Sequence, residues 1–154
     1  MNENVLFCRS PLGVIRLAAK DGALVSAVFT DETGTDSPCP VLTEAAAWLG
    51  RYFEGRDPGP IPQCLPQGTA FQKAVWNALL SVPYGETISY AALASRLGLS
   101  ARHARAVGGA VGKNPLVLFY PCHRVIGASG NPTGYAYGID RKLALLKTER
   151  KDFT

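Results

Sequence analysis

The chain has 154 residues, 47% of them hydrophobic, enough to bury a core without staples as one domain or two small ones. Its net charge of +4 is unevenly spread: residues 1–70 carry five Lys/Arg against eight Asp/Glu, residues 71–154 eleven against four, so a polyanion is the expected partner of the C-terminal half. No apolar run approaches the roughly 20 residues of a membrane helix, and the opening MNENVLFCRS lacks the basic lead and apolar run of an export signal; an intracellular, cytoplasmic protein with no membrane partner is expected.

The runs NVLFCRS, GVIRLAAK and ALVSAVFT are apolar and β-branched, separated by Pro11-Leu12 and by Asp21-Gly22, the second a strong hairpin signal. They predict a small antiparallel sheet. VLTEAAAWLGRYFEG has helical spacing, with Thr43 as N-cap and Gly55 as stop. RDPGPIPQCLPQG, residues 56–68, holds four prolines, which neither a helix nor a central strand tolerates. It reads as a linker, and the boundary placed there gives an N-terminal domain over 1–66 and a C-terminal one over 67–154.

Thr69 followed by Gln72 is a capping-box pattern, and Phe71, Val75, Ala78 and Leu79 then recur at helical spacing until VPYGE. Ser89 caps a second helix, YAALASRL, stopped at Gly98, and Ser100 caps a third, ARHARAVGGAVG. Two helices joined by a short Gly-containing turn form a helix-turn-helix pattern. On the third, Ala104, Val107 and Val111 form an apolar stripe, while Ala101, Arg105, Gly108, Gly109 and Gly112 share another face, bare except for Arg105. Interior glycines cost about 1 kcal/mol each relative to alanine; tight helix packing explains such smoothness, and so does close approach to a nucleic acid groove. After Asn114-Pro115 an apolar segment runs to PCHRVIG, followed by the Gly/Pro-rich ASGNPTGYAYG and a last helix, IDRKLALLKTER, with Asp140 near its start and Lys147 near its end.

Four cysteines are scattered without CxxC or HxxxH spacing, so reduced thiols are expected and neither a metal nor a cofactor is. For Cys8, Cys39 and Cys64 an inert buried thiol is the expectation. Cys122 differs: His123, Arg124 and the basic third helix are means of favouring its thiolate. Residues i and i+1 seldom face each other, so His123 serves as its base only through a tight turn or a relaying water, with Glu149 as an orienting carboxylate.

The ordered set FQKAVWNALLSVPYGETISYAALA, ARAVGGAVGKNP, PCHRVIG and GYAYGIDRKLALLKTE, about residues 70–149, resembles the O6-alkylguanine-DNA alkyltransferases, or methylated-DNA–protein-cysteine methyltransferases. The resemblance implies an α+β fold of two small domains: an N-terminal α/β domain with a small antiparallel sheet, ribonuclease H-like in the family, and a mainly helical C-terminal domain with a winged-helix-like helix-turn-helix. It implies irreversible, stoichiometric transfer of the alkyl group from O6-alkylguanine in DNA to Cys122, after flipping of the nucleotide from the minor groove of double-stranded DNA with little sequence specificity, by a monomer.

By resemblance, His123 deprotonates Cys122 through a water, Glu149 polarises His123, and Asn114 shapes the turn that holds them. Tyr90 helps rotate the nucleotide and donates to N3 of the leaving guanine, and Arg105 fills the vacated place. Ala101, Arg102, Gly108, Gly109 and Lys113 complete the DNA face. Tyr135 is the pocket wall, and the Val125 carbonyl and Ala136 amide contact the base edges. Tyr137 stands where the family commonly has glycine, which implies a narrower pocket rim. Val117 and Tyr120 replace the usual proline and aliphatic residue before PCHRV. The competing reading, an alkylguanine sensor without chemistry, has the cysteine replaced, and Cys122 argues against it. A transcription regulator is disfavoured because the smooth helix has few side chains to read bases, and a cysteine hydrolase by the Cys-His adjacency.

Overall fold

The computed structural model describes residues 3–128, 130, 134–151 and 153; part of the loop expected over 128–138 lies outside the described residues. The chain divides into two compact units, one of Met1–Gln67 with Pro115–Phe119, the other of Gly68–Asn114 with Tyr120–Thr154. Residues 115–119, grouped by the sequence with the C-terminal domain, thus cluster with the first unit.

The first unit is an antiparallel meander of β1 (Asn4–Ser10), β2 (Gly13–Lys20) and β3 (Ala23–Thr30), with α1 (Pro40–Phe53) packed on it. Lys20 pairs with Ala23 around Asp21 (φ 53°) and Gly22 (φ 79°), the two left-handed residues that match the strand twist. The outer edge of β3 is closed by two other stretches. Leu24 exchanges backbone bonds with Gln63 and Leu65 (2.8 Å each), and Ala27 does so with Pro115 (2.8 Å) and Val117 (3.0 Å). This second pairing is why 115–119 belongs here, and it satisfies donors and acceptors that an open edge would expose.

Helix α1 begins at Pro40, its N-cap four residues before the expected Thr43. Pro40, whose missing N–H is an orphan anyway, occupies the first turn. Cys39 is the N-cap without a side-chain bond, which the cap rules do not flag. The end is as expected: Gly55 (φ 82°) bonds to Tyr52 O and Arg56 to Arg51 O, a Schellman closure. The core gathers Trp48, stacked on Tyr52 (5.8 Å) and tilted against Phe119 (4.6 Å).

The second unit is mainly helical: α2 (Ala70–Leu79), α3 (Tyr90–Arg96), α4 (Ala104–Gly112) and α5 (Ile139–Glu149), with a parallel pair of two-residue strands, β4 (Ile88–Ser89) and β5 (Val125–Ile126). Thr69 and Gln72 form the reciprocal capping box. The buried stripe of α2 runs through Val75, Trp76 and Leu79, leaving Phe71 41% exposed; the stripe is centred one residue beyond the expected one. Trp76 donates to Ala110 O (2.8 Å), tying α2 to α4. Ser89 caps α3, and Gly98 (φ 76°) closes it. Ser100, expected to cap the third helix, does not: its hydroxyl pairs with His103 Nδ1 (3.2 Å), Ala101–His103 form a 3₁₀ turn, and α4 starts at Ala104.

Candidate active site

Cys122 opens a 3₁₀ turn, Cys122–Arg124, between two buried stretches. Its place is set by Pro121, whose φ of −78° and ψ of 66° are those of an inverse γ-turn, closed by Cys122 N donating to Tyr120 O (2.7 Å). The proline ring favours that φ. Asn114 Nδ2 donates to the same Tyr120 carbonyl (2.8 Å), so the end of α4 and the turn at Cys122 are fastened at one atom.

The thiol lies on a pocket of about 170 Å³ whose lining includes Tyr90, Gly108, Asn114, Tyr135, Ala136 and Tyr137. Tyr90 stands at the first position of α3 against α4, where a Cβ on Gly108 would approach its ring to 3.5 Å. The rings of Tyr135 and Tyr137 meet edge to face on that wall, centroids 5.9 Å apart.

Behind the thiol, the next two residues turn inward. His123 is 0% exposed, and its Nε2 meets Glu149 Oε2 at 2.5 Å. Arg124 forks onto the same carboxylate, Nε to Oε1 at 2.8 Å and Nη2 to Oε2 at 3.2 Å, while its Nη1 donates to Val82 O (2.8 Å). Gly85 N also donates to Oε1 (2.9 Å). Gly85 (φ 83°) can do so because Pro83–Glu86 form a turn, Glu86 N to Pro83 O, that needs a left-handed third residue.

These contacts set the protonation states. Burial pushes the Glu149 carboxyl up, but His123 and Arg124 outweigh it and hold the group at about 2. It is a carboxylate, so His123 Nε2 carries the hydrogen of their bond, and Nδ1 is the ring nitrogen left to take a proton. Burial pushes the His123 imidazole down; Glu149 pulls it up, and Arg124 and Lys142 push it further down. A neutral base results. Burial also pushes the Cys122 thiol up, against Asn114, Lys142 and Tyr135, which favour the thiolate. The sequence pointed to Arg124 and the basic helix as thiolate-favouring groups; burial prevails, and the thiol rests protonated. It must lose its proton to a base when it reacts.

The remaining expected residues divide by exposure. Ala101, Arg102, Arg105, Gly109 and Lys113 are exposed on or beside α4. Gly108 is half-buried at the pocket, and Val125 is fully buried in β5, paired with Ile88, and is not among the lining residues. The sequence reading missed Lys142 altogether and gave Arg124 a different task. Lys142 is 0% exposed, donates from Nζ to Gly134 O (3.0 Å) and sits at about 8, lowered by burial and raised by Cys122. Arg124 is the clamp on Glu149. Both lie with charged groups on buried faces; along α5, Lys142, Leu145, Leu146 and Glu149 share one stripe, and two charges on an apolar stripe are the signal that could have been noticed. Among the described residues, no group of three or more His, Cys, Asp or Glu could hold a metal, and no helix is long and apolar enough to cross a membrane.

Residues 70–151 match the family described as 6-O-methylguanine DNA methyltransferase, DNA binding domain. The chain is similar to two proteins named methylated-DNA–protein-cysteine methyltransferase. That of Mycolicibacterium paratuberculosis is 42% identical over 149 residues, covering 92% of this chain and 89% of the relative. That of Methanosarcina barkeri is 48% identical over 150 residues, covering 93% and 94%. It is also similar to the solved structure of Mycobacterium tuberculosis OGT in complex with DNA, with a TM-score of 0.85 and 40% identity over 98% of this chain and 94% of that one. With the family matched over more than half of its residues and relatives aligned along nearly all of them, the chain belongs to the methylated-DNA–protein-cysteine methyltransferase family.

Proposed function

We propose that this protein repairs DNA by moving the alkyl group of O6-alkylguanine onto Cys122, once per molecule. The observation that carries it is a protonated, buried thiol on the floor of a pocket sized for a small ring system, with a neutral His123 pinned by Glu149 immediately behind it. His123 Nδ1 takes the thiol proton through a water. The sulfur attacks the alkyl carbon, a C–S bond forms as the C–O6 bond breaks, and the electron pair leaves on the guanine, where Tyr90 donates to N3. Asn114 holds the turn, while Tyr135, Tyr137 and the Ala136 amide receive the base. A thioether has no low-energy return path, so no turnover follows.

The target carbon is inside the stack, which requires flipping at a few kcal/mol. We read α3 and α4 as a helix-turn-helix laid into the minor groove, with Arg105 filling the vacated place and Ala101, Arg102, Gly108, Gly109 and Lys113 against the backbone. Residues 67–154, apart from 115–119, are then the DNA-binding and alkyl-acceptor domain, 1–66 with 115–119 a supporting α/β domain, and the protein acts as a monomer in the cytoplasm. Phosphate contacts rather than base readout set affinity.

Incubation with a duplex containing O6-methylguanine, followed by intact mass and peptide mapping, is expected to show one added methyl, confined to the peptide holding Cys122; tight binding with unmodified protein would overturn the proposal in favour of a sensor. Arg105→Ala is expected to slow repair of duplex DNA roughly 10-fold or more, the equivalent of losing part of the few kcal/mol offset against unstacking. The same variant should react with free O6-methylguanine base at close to the wild-type rate. Equal losses on both substrates exclude the finger role.

A further inference from the structure

We propose that Arg124 is a positioning residue for removal of the proton from Cys122, acting through Glu149 on His123. The inference rests on the reading of His123 as the base.

The geometry is more demanding than a surface ion pair. The guanidinium takes both carboxylate oxygens of Glu149 in a fork, at 2.8 and 3.2 Å, and spends a third nitrogen on Val82 O at 2.8 Å. Its Cζ lies 5.8 Å from the Tyr84 ring centroid, and the side chain is 9% exposed. Tyr84 in turn donates to Thr148 O (3.3 Å), one residue before Glu149. A planar fork fixes the carboxylate plane as a lysine could not. Because Oε2 is shared between Arg124 and His123, fixing that plane also fixes the imidazole.

The charge matters as well as the shape. Glu149 alone would draw a proton onto His123 and spoil it as a base. Arg124 shares the carboxylate's charge and, with Lys142, opposes that draw. Among the described residues, the charged groups that act on His123 are Glu149 and Lys142 from α5 and Arg124 from its own turn; Tyr84 faces Arg124 from the 83–86 turn. Removing the guanidinium leaves the carboxylate's pull less opposed, so His123 protonates at higher pH.

The test is the pH dependence of single-turnover methyl transfer, with DNA binding and thermal melting measured on each variant. Arg124→Gln is expected to move the acid limb of the rate profile up by about one pH unit, the lower end of what a neighbouring charge does, with a loss of about fivefold at the midpoint of the old limb that approaches about tenfold below it. Arg124→Lys, which keeps the charge and loses the fork, is expected to lower the rate several-fold with the limb in place. An unmoved limb in Arg124→Gln, or a limb moved in Arg124→Lys, overturns the proposal; should Arg124→Gln fail to fold, the lysine variant decides alone. His123→Gln separates this from the underlying reading. If its profile keeps the wild-type acid limb, His123 is not the base; if the limb disappears there yet stays fixed in Arg124→Gln, only the role of Arg124 is lost.

Discussion

Cys122→Ala is expected to take up no methyl group at all from O6-methylguanine duplexes while still binding them. Three other thiols are present, so the loss is not guaranteed by chemistry alone. The environment decides it. Burial pushes Cys64 up to about 12, with Glu44 adding to it, and burial together with Asp36 raises Cys8. Neither has a base placed as His123 is, and a protonated thiol does not displace guanine from an ether-like carbon. Alanine at 122 removes one atom from a site that is 8% exposed, a change of about 1 kcal/mol in stability. The Tyr120 carbonyl keeps both of its donors, because they come from a backbone N–H and Asn114. The fold and the pocket therefore persist, and peptide mapping reads the chemistry cleanly: methyl on any other cysteine of the variant would show that the site is not unique.

What could be seen in the sequence follows the range of the forces involved. The three strands, the Asp21-Gly22 turn and the Thr69/Gln72 box are decided by neighbours within four residues, and they stand where expected. The start of α1 depends on Pro40 and a cap without a side-chain bond, so cap chemistry pointed to Thr43. Ser100 had an alternative partner, His103, that competed for its hydroxyl. Leu118 shows the limit of local reading. Its φ of 75° and the Phe119 N to Val117 O bond (2.9 Å) make a γ-turn, costing about 1–3 kcal/mol for a leucine, and only the pairing of Pro115 and Val117 with β3 explains why the chain accepts it. At the site, spacing alone left the Cys122-His123 adjacency awkward. Glu149, 26 residues from His123, was named as an orienting carboxylate, and Lys142 left a trace as a charge on the apolar stripe of α5, but nothing in the residues themselves indicated that Arg124 would be buried with them. Helical periodicity treats charged residues as surface, and here two of them line the face that packs inward.

Glu149→Gln is expected to slow methyl transfer by about 10²–10⁴-fold, the usual contribution of a placed acid–base group. The reason is which nitrogen holds the proton. An ionised Glu149 only accepts, so His123 Nε2 donates and Nδ1 is available. A glutamine that keeps its carbonyl toward Gly85 N and Arg124 Nε, where Oε1 now lies, turns its amide N–H toward His123. Nε2 must then accept, Nδ1 carries the hydrogen, and the base is occupied before the reaction begins. The reverse orientation sets an amide N–H against two donors. The variant should also change acid stability. Glu149 titrates at about 2 in the fold against an ordinary 4.5; its contribution is complete above about pH 4.5 and is lost as the pH falls toward 2, roughly 3 kcal/mol over that window. Wild-type melting temperature should fall across it more steeply than that of Glu149→Gln, which has no such proton to bind. A rate within a few-fold of wild type, or melting curves that run parallel from pH 5 downward, would show that the carboxylate neither sets the tautomer nor holds the charge.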